Sequence, residues 1–367
     1  MINRVKIQNF KALRNVEITF DSRFTVLVGP NGSGKTSVLR TIHWLCQIAG
    51  DHQSFQHGSQ ELGRMIASSY SGSNTNEAQL LEVIQIDSNG SLGIRVNAHP
   101  QPIFNNTKAD RRGARNIEYV SIPKEEKLWI GDGKSLLGKK ATFVPSELIL
   151  LDSNQIAIPS NTTAIPPTMG PNGAGLASLM AYFKLYDENR FDQVQEMFQK
   201  IVPHVQRIRI DRVKAGGEGL GEGLVFDLPH KKGVIASSMS DGTLFVLALI
   251  AKILDPQHPK TLLIDDIDHG FHPNAQLLLI ELIHKLLDEI PDIQIIATSH
   301  SPYILSGLKW DEVRVTSLQK DGTAVIEPLS KHPNFEKWKE SMSPGEFWTH
   351  AGEDWINRLP HIAGVAQ

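Results

Sequence analysis

The sequence holds a single cysteine, Cys46. One thiol excludes an intrachain disulfide and any zinc site built from several cysteines of one chain. It fits a reducing, cytoplasmic compartment. Long hydrophobic runs are missing as well. The longest, Leu244 to Ala251, falls far short of the ~20 residues a membrane helix needs. The opening Met1-Ile2-Asn3-Arg4 leads into alternating residues, so no signal peptide is expected. Neither sign of charge dominates: 37 Lys and Arg face 40 Asp and Glu, a net charge of −3. The chain is therefore no simple polycation, and a nucleic-acid surface would have to be a local patch. There is no H-N-H motif and no P-D-(D/E)-x-K pattern, so no nuclease centre of either kind is expected. Residues 176–201 offer too few heptads for a long coiled coil.

What is present is a globular composition, 40% hydrophobic and 21% charged over 367 residues. That suits one large domain or two to three smaller ones. Val5 and Ile7, then Val16, Ile18 and Phe20, alternate like a hairpin. Phe24 to Val28 reads as a short buried strand, followed by a Gly-rich turn and a helix from about Lys35 to Ala49. Residues 50–78 read as a loop, and 79–143 return to strand-like patterning. The stretch 152–175 looks like a connector, 176–201 is helical, and strand-like residues follow around 205–213. From Ser240 the pattern alternates helix, strand, helix, strand over 240–254, 261–265, 274–289 and 293–298. Such alternation indicates an α/β fold with a parallel core.

Gly29-Pro30-Asn31-Gly32-Ser33-Gly34-Lys35-Thr36 matches G-x-x-x-x-G-K-[ST], with a buried strand before it and a helix after it. Glycines let backbone N–H groups curl around phosphate oxygens, and the helix N-terminus adds favourable partial charge. Lys35 would neutralise the β- and γ-phosphates of ATP, Thr36 would ligate Mg²⁺, and Ser37 completes the nucleotide-binding set. Thr261-Leu262-Leu263-Ile264-Asp265-Asp266 is an apolar strand ending in carboxylates, the Walker B pattern. Asp265 is then the Mg²⁺ carboxylate and Asp266 the residue that polarises the attacking water. Ile295 to Thr298 leads to Ser299 and His300, which places His300 to contact the γ-phosphate. The chain thus divides into a P-loop part at 1–49, an insertion at 50–235, a second core part at 236–330 and a C-terminal tail at 331–367.

In this order the motifs resemble the ABC-type ATPases, specifically the SMC-like branch with the OLD-family and AAA-15/21-type ATPases. The resemblance covers about 1–49 and 236–305 well and the middle weakly. Val5-Lys6-Ile7-Gln8-Asn9-Phe10-Lys11-Ala12-Leu13 looks like that branch's opening hairpin, and Ser240-Asp241-Gly242-Thr243 like its signature loop. The resemblance implies an ABC-type head with a large β-rich and helical insertion. It implies a head-to-tail dimer, or a higher assembly, in which Ser240, Asp241 and Gly242 meet the nucleotide of the other copy. It places a Q-loop near Phe143 to Gln155, with Gln155 as a candidate Mg²⁺ ligand. The family usually ends its Walker B strand in Asp-Glu, whereas this chain has Asp265-Asp266. Asp reaches roughly 1.5 Å less, a scale at which general-base geometry matters, so hydrolysis is expected to be slow. The tail, with Ser343 to Trp348 and Gly352 to Trp355, looks like the end of defence-associated ATPases. Trp348 and Trp355, seven apart, could share one helix face against the core or a partner.

Three functions follow as expectations. The first is an ATP-gated switch in bacterial anti-phage defence, acting through a separate effector such as a nuclease. The second is a DNA-repair or chromosome-maintenance ATPase, with nucleic acid held by Arg111, Arg112, Arg207 and Arg209. The third, a transporter ATPase docked on a separate membrane protein, is disfavoured by the signature and the insertion.

Overall fold

A computed structural model describes residues 1–49, 79–87, 90–98, 115–122, 146–160, 164–214 and 220–359. Arg111, Arg112, Phe143 and the 50–78 segment lie outside the described residues. Strands β1 (Ile2–Phe10), β2 (Leu13–Thr19) and β3 (Phe24–Val28) precede helix α1 (Lys35–Ala49). Strands β4 (Gln79–Asp87), β5 (Gly90–Ala98), β6 (Arg115–Ile122) and β7 (Ser146–Ile149) follow. Helices α2 (Ser153–Ala157), α3 (Leu176–Tyr186) and α4 (Glu188–Ile201) lead to β8 (Arg207–Lys214), β9 (Leu220–Leu228) and β10 (Lys231–Ile235). Next come α5 (Asp241–Leu254), β11 (Thr261–Ile264), α6 (Pro273–Glu289) and β12 (Gln294–Ser299). Last are α7 (Pro302–Ser306), β13 (Val313–Leu318), β14 (Ala324–Pro328), α8 (Phe335–Trp338) and α9 (Pro344–Ala351).

The chain forms two compact units. The first comprises Met1–Leu148, Pro259–Asp265 and Asp292–Gln367. A six-stranded sheet in the order β14-β13-β3-β12-β11-β7 is its centre. β3, β11 and β12 are buried along their whole length, as parallel strands covered on both faces must be. Their continuous apolar runs are what the sequence reading recognised. A second sheet has the order β2-β1-β4-β5-β6. β4 pairs antiparallel with β1, β5 with β4 and β6 with β5, so the sheet is antiparallel throughout. The fully buried Gln294 at the start of β12 ties the sheets together. Its amide accepts from the Ile2 N–H and donates to the Ile2 carbonyl, both at 2.8 Å. Each such bond is worth about 1 kcal/mol net.

The second unit comprises Ile149–His258 and Asp266–Pro291. Its core helix is α5, in which every residue from Gly242 to Leu254 is buried. The longest apolar run of the chain is therefore an interior helix, apolar on all sides. Among the described residues no helix is long and apolar enough to cross a membrane. Lys252, 5% exposed, is accommodated by donating to the Met169 carbonyl at 2.9 Å. Asp187 splits the helical stretch 176–201 in two: it closes α3 and caps α4, accepting from the Arg190 N–H at 3.2 Å. A three-stranded antiparallel sheet, β10-β9-β8, completes the unit.

Two features differ from the sequence reading. The 50–235 stretch does not stay together as one insertion: β4 to β6 extend the sheet begun by β1, while 149–235 belong to the second unit. Pairing explains this, because a two-stranded hairpin alone is marginal and β1 has an edge to offer. Nor do Trp348 and Trp355 share a helix face. Gly352, at φ +63, ends α9 in a conformation that glycine adopts without steric cost. Trp355 instead packs on His332, ring centroids 5.1 Å apart.

Cys46 lies buried on α1, and burial pushes its thiol up to about 12. The reactive thiolate is then essentially absent near pH 8. A thiol-specific reagent at about that pH should leave the folded chain untouched and titrate one equivalent once denaturant is added. Rapid labelling of the folded chain would contradict this packing of α1.

Candidate nucleotide and magnesium site

The parallel register of the first unit builds the site. Ser299 pairs with Val28, and Ile264 with Ala297. Strands β3, β12 and β11 therefore end at one edge, where parallel α/β sheets bind ligands. The residues that follow are Gly29, His300 and Asp265. Sequence-distant groups are thus delivered to one place by strand pairing alone.

The P-loop has the backbone its glycines require. Gly29, Gly32 and Gly34 lie at φ +148, +78 and +91. A side chain at position 29 would also run into the carbonyl and hydroxyl of Thr316. Pro30, Asn31 and Gly32 are exposed, and Ser37 half-buried, on this turn and the start of α1. Lys35, 5% exposed, donates to the carbonyls of Gly29 and Pro30, both at 2.9 Å. The buried Ser33 hydroxyl meets Thr316 Oγ1 at 2.5 Å, and that hydroxyl donates to the Val28 carbonyl at 3.1 Å. Thr316, on β13, thus buttresses the loop from below.

Asp265 is the hub. Thr36 Oγ1 donates to its Oδ1 at 3.0 Å, and Thr298 Oγ1 donates to the same oxygen at 2.7 Å. Two hydroxyls fix the carboxylate while leaving acceptor capacity. The hydroxyl of Thr36 beside a fixed carboxylate is the donor set a hard, octahedral Mg²⁺ takes in P-loop proteins, with phosphate oxygens and water completing its shell. The residues present therefore fit Mg-ATP. His300 is exposed at the end of β12. The following turn is fixed by the Ser301 N–H donating to Ser299 Oγ at 2.9 Å and by Ser301 capping α7.

Asp266 directly follows Asp265. It is exposed, at φ +51, and its carbonyl accepts from the His269 N–H at 2.8 Å. The border between the two units falls between Asp265 and Asp266. The remaining expected residues belong to the second unit. Ser240 caps α5, its Oγ accepting from the Thr243 N–H at 3.3 Å. Asp241 puts a carboxylate in the first turn, which suits the helix dipole and opposes an incoming phosphate. Gly242 lies so close to the Gly270 carbonyl that no side chain fits between them. Gln155 is half-buried in α2. His272 caps α6 through Nδ1, which accepts from the Asn274 N–H at 3.4 Å, a structural role. Arg207 is exposed on β8, whereas Arg209 is neutralised between Asp227 at 3.4 Å and Asp211 at 3.6 Å.

Two contributors escaped the sequence reading, Thr298 and Thr316. Thr298 sat inside a strand already singled out for His300, and a hydroxyl in an apolar strand end was the signal available. Thr316 lies on β13, a strand outside the recognised motifs. Conversely, Gly170-Pro171-Asn172-Gly173-Ala174-Gly175 repeats five of the six residues at Gly29–Gly34. It is no phosphate cradle. The N–H groups of Gly170, Gly173 and Ala174 are spent on Ala174 O, Gly170 O and Asn172 Oδ1. Leu176 and Ala177 stand where Lys35 and Thr36 would be needed.

A P-loop opening α1, a Walker B carboxylate on a neighbouring parallel strand and a flanking antiparallel sheet define a P-loop ATPase fold of the SMC-head type. The structure described as the Smc head bound to the C-winged helix domain of ScpA superposes with a TM-score of 0.61 at 16% identity, covering 92% of this chain and 99% of that one. The Smc head domain of Pyrococcus furiosus gives 0.57 at 14% identity, covering 92% and 98%. The chain belongs to the family described as "AAA domain, putative AbiEii toxin, Type IV TA system", whose model matches residues 24–306. Septu protein PtuA of Bacillus mycoides is 24% identical over 341 residues, 89% of this chain and 42% of that protein. The chain thus spans less than half of that relative's length. Shorter similarity reaches the DNA double-strand break repair Rad50 ATPase of Methanopyrus kandleri, 55% identical over 61 residues, 17% of this chain and 7% of that protein. The DNA replication and repair protein RecF of Geobacter sulfurreducens is 52% identical over 44 residues, 12% of each chain.

Replacing Thr298 by Val removes one of the two hydroxyls on Asp265 and keeps the shape. The Mg²⁺ concentration for half-maximal binding of a fluorescent ATP analogue should rise about tenfold, the usual penalty for losing a partner of a metal ligand. An unchanged Mg²⁺ dependence would remove Thr298 from the site.

Proposed function

We propose that the chain binds Mg-ATP and hydrolyses it slowly, as a nucleotide-gated switch for a separate effector in bacterial anti-phage defence. The observation that carries the nucleotide part is the Asp265 carboxylate, fixed by the P-loop threonine and by Thr298. In this reading Gly29 to Ser37 cradle the phosphates. Lys35 turns from its loop carbonyls to the β- and γ-phosphates, and Thr36 and Asp265 hold Mg²⁺, with Gln155 as a further candidate ligand. Asp266 polarises the attacking water, and His300 contacts the γ-phosphate. The short reach of Asp266 keeps turnover below the usual enzyme median of about 10 per second.

Two copies close head to tail, each offering Ser240, Asp241 and Gly242 to the nucleotide of the other. ATP shifts the equilibrium toward the closed dimer because it touches more groups there. The carboxylate of Asp241 offsets part of that attraction, so closure depends on the γ-phosphate and its Mg²⁺ together. The effector is a separate protein, a nuclease in the favoured case. Similarity to Septu protein PtuA over most of the chain supports the defence setting. A second reading, a DNA-repair ATPase, draws on the short Rad50 and RecF similarities and on exposed Arg207, Arg212 and Lys214 along β8. The neutralised Arg209 weakens it, because a paired guanidinium releases few counterions from DNA.

Sedimentation of the purified chain should show a monomer without nucleotide and a dimer with Mg-ATP in the Asp266→Asn background. Ser240→Arg should abolish the dimer, while the monomer still binds ATP through its own P-loop with an affinity weakened by no more than the loss of the dimer contacts. A monomer under all conditions would reject the closed dimer. Tagged chain expressed with its neighbouring genes should copurify an effector protein; recovery with salt-sensitive DNA and no protein would favour the repair reading.

A further inference from the structure

The residue at the end of β12, His300, is two positions before Pro302, where the short helix α7 begins. Helix α9 from the C-terminal tail lies against α7. The contact is made at Gly345, which is buried. A Cβ at this position would collide with the Pro302 carbonyl and Ser306 Oγ, and would lie 2.8 Å from the Ser306 N–H. The first of these is backbone and cannot swing aside. Ser343 Oγ adds a hydrogen bond to Ser306 Oγ at 3.2 Å. The start of α9 is itself locked by a capping box: the Glu346 N–H donates to Ser343 Oγ at 3.3 Å, and the Ser343 N–H donates to Glu346 Oε2 at 2.8 Å.

The far side of α9 is equally fixed. Phe347, 1% exposed, meets Trp310 and His332 edge to face, with centroids 5.4 and 4.8 Å apart. His332 in turn packs on Trp355, and Trp310 on Phe335. The tail is therefore pinned by an aromatic cluster on one side and pressed on α7 by a glycine contact on the other.

We propose that the tail helix α9 is a positioning element for His300, with Gly345 and Ser343 setting the place of the segment Ser301–Ser306 that directly follows it. The inference rests on the reading of His300 as a γ-phosphate contact. It gives the C-terminal tail a role in catalysis without any contact to nucleotide. A partner that tilts α9 would change hydrolysis through Pro302 while leaving phosphate binding at the P-loop intact.

The test is a double-mutant cycle on single-turnover ATP hydrolysis, with nucleotide affinity and Tm measured beside it. Gly345→Ala should slow hydrolysis about tenfold or more, since displacements near 1 Å at a reacting centre cost up to a hundredfold. ATP affinity should stay within about twofold. In the His300→Ala background the same change should have less than about a twofold further effect. Ser343→Ala, a milder change that keeps the glycine contact, should give a smaller loss that also vanishes in that background. It covers the case in which Gly345→Ala fails to fold. Losses that multiply in the double mutants, or hydrolysis unchanged by both tail substitutions, would overturn the proposal. If His300→Ala alone leaves hydrolysis unchanged, the His300 reading itself fails and the proposal falls with it.

Discussion

A single carboxylate oxygen, Oδ1 of Asp265, joins three separate stretches of chain. It accepts hydroxyls from Thr36 at the head of α1 and from Thr298 near the end of β12, and its own residue ends β11. That convergence is possible only because β3, β12 and β11 run parallel in a fixed register. A slip of one residue would turn Thr298 to the other face and leave Asp265 with one partner. The burial of these strands makes such a slip costly, so the core that stabilises the first unit is also what aligns its chemistry. Thr316 and Gln294 extend the same logic outward. One props the P-loop from β13, and the other fastens β1 to β12.

The division of the chain gives this arrangement a further consequence. Asp265 belongs to the unit that holds the P-loop, and Asp266 to the unit that holds the Ser240 turn and α5. In the proposed mechanism Asp265 holds the metal and Asp266 polarises the attacking water. Asp266 also sits at φ +51, a conformation that costs a non-glycine residue energy and is found where a turn must be tight.

Much of this was legible in the sequence because its signals are local. The P-loop needs glycines at set spacings and a lysine at its end. The apolar run of β11 ends in carboxylates, and β12 has an apolar centre, Ile295 to Ala297, before Thr298. The pairing of β1 with β4, the split of 50–235 between units and the role of Thr316 are non-local. They depend on which strands meet, and no spacing along the chain encodes that. The echo at 170–175 makes the complementary point. Five shared residues of six do not make a phosphate site when the N–H groups are already bonded within the turn. Trp348 and Trp355 were seven apart as helix neighbours would be, yet Gly352 intervenes and sends Trp355 to His332.

In the proposed site, Asp265 and Thr36 hold a divalent ion against the phosphates of a bound nucleotide. The most direct measurement replaces Mg²⁺ by Mn²⁺ and follows its electron paramagnetic resonance with a non-hydrolysable ATP analogue. One nucleotide-dependent bound Mn²⁺ per chain is expected in the wild type. At least about a tenfold loss of Mn²⁺ affinity is expected in Asp265→Asn, with the nucleotide still retained at the P-loop at high concentration. An unchanged Mn²⁺ spectrum in Asp265→Asn would contradict this site.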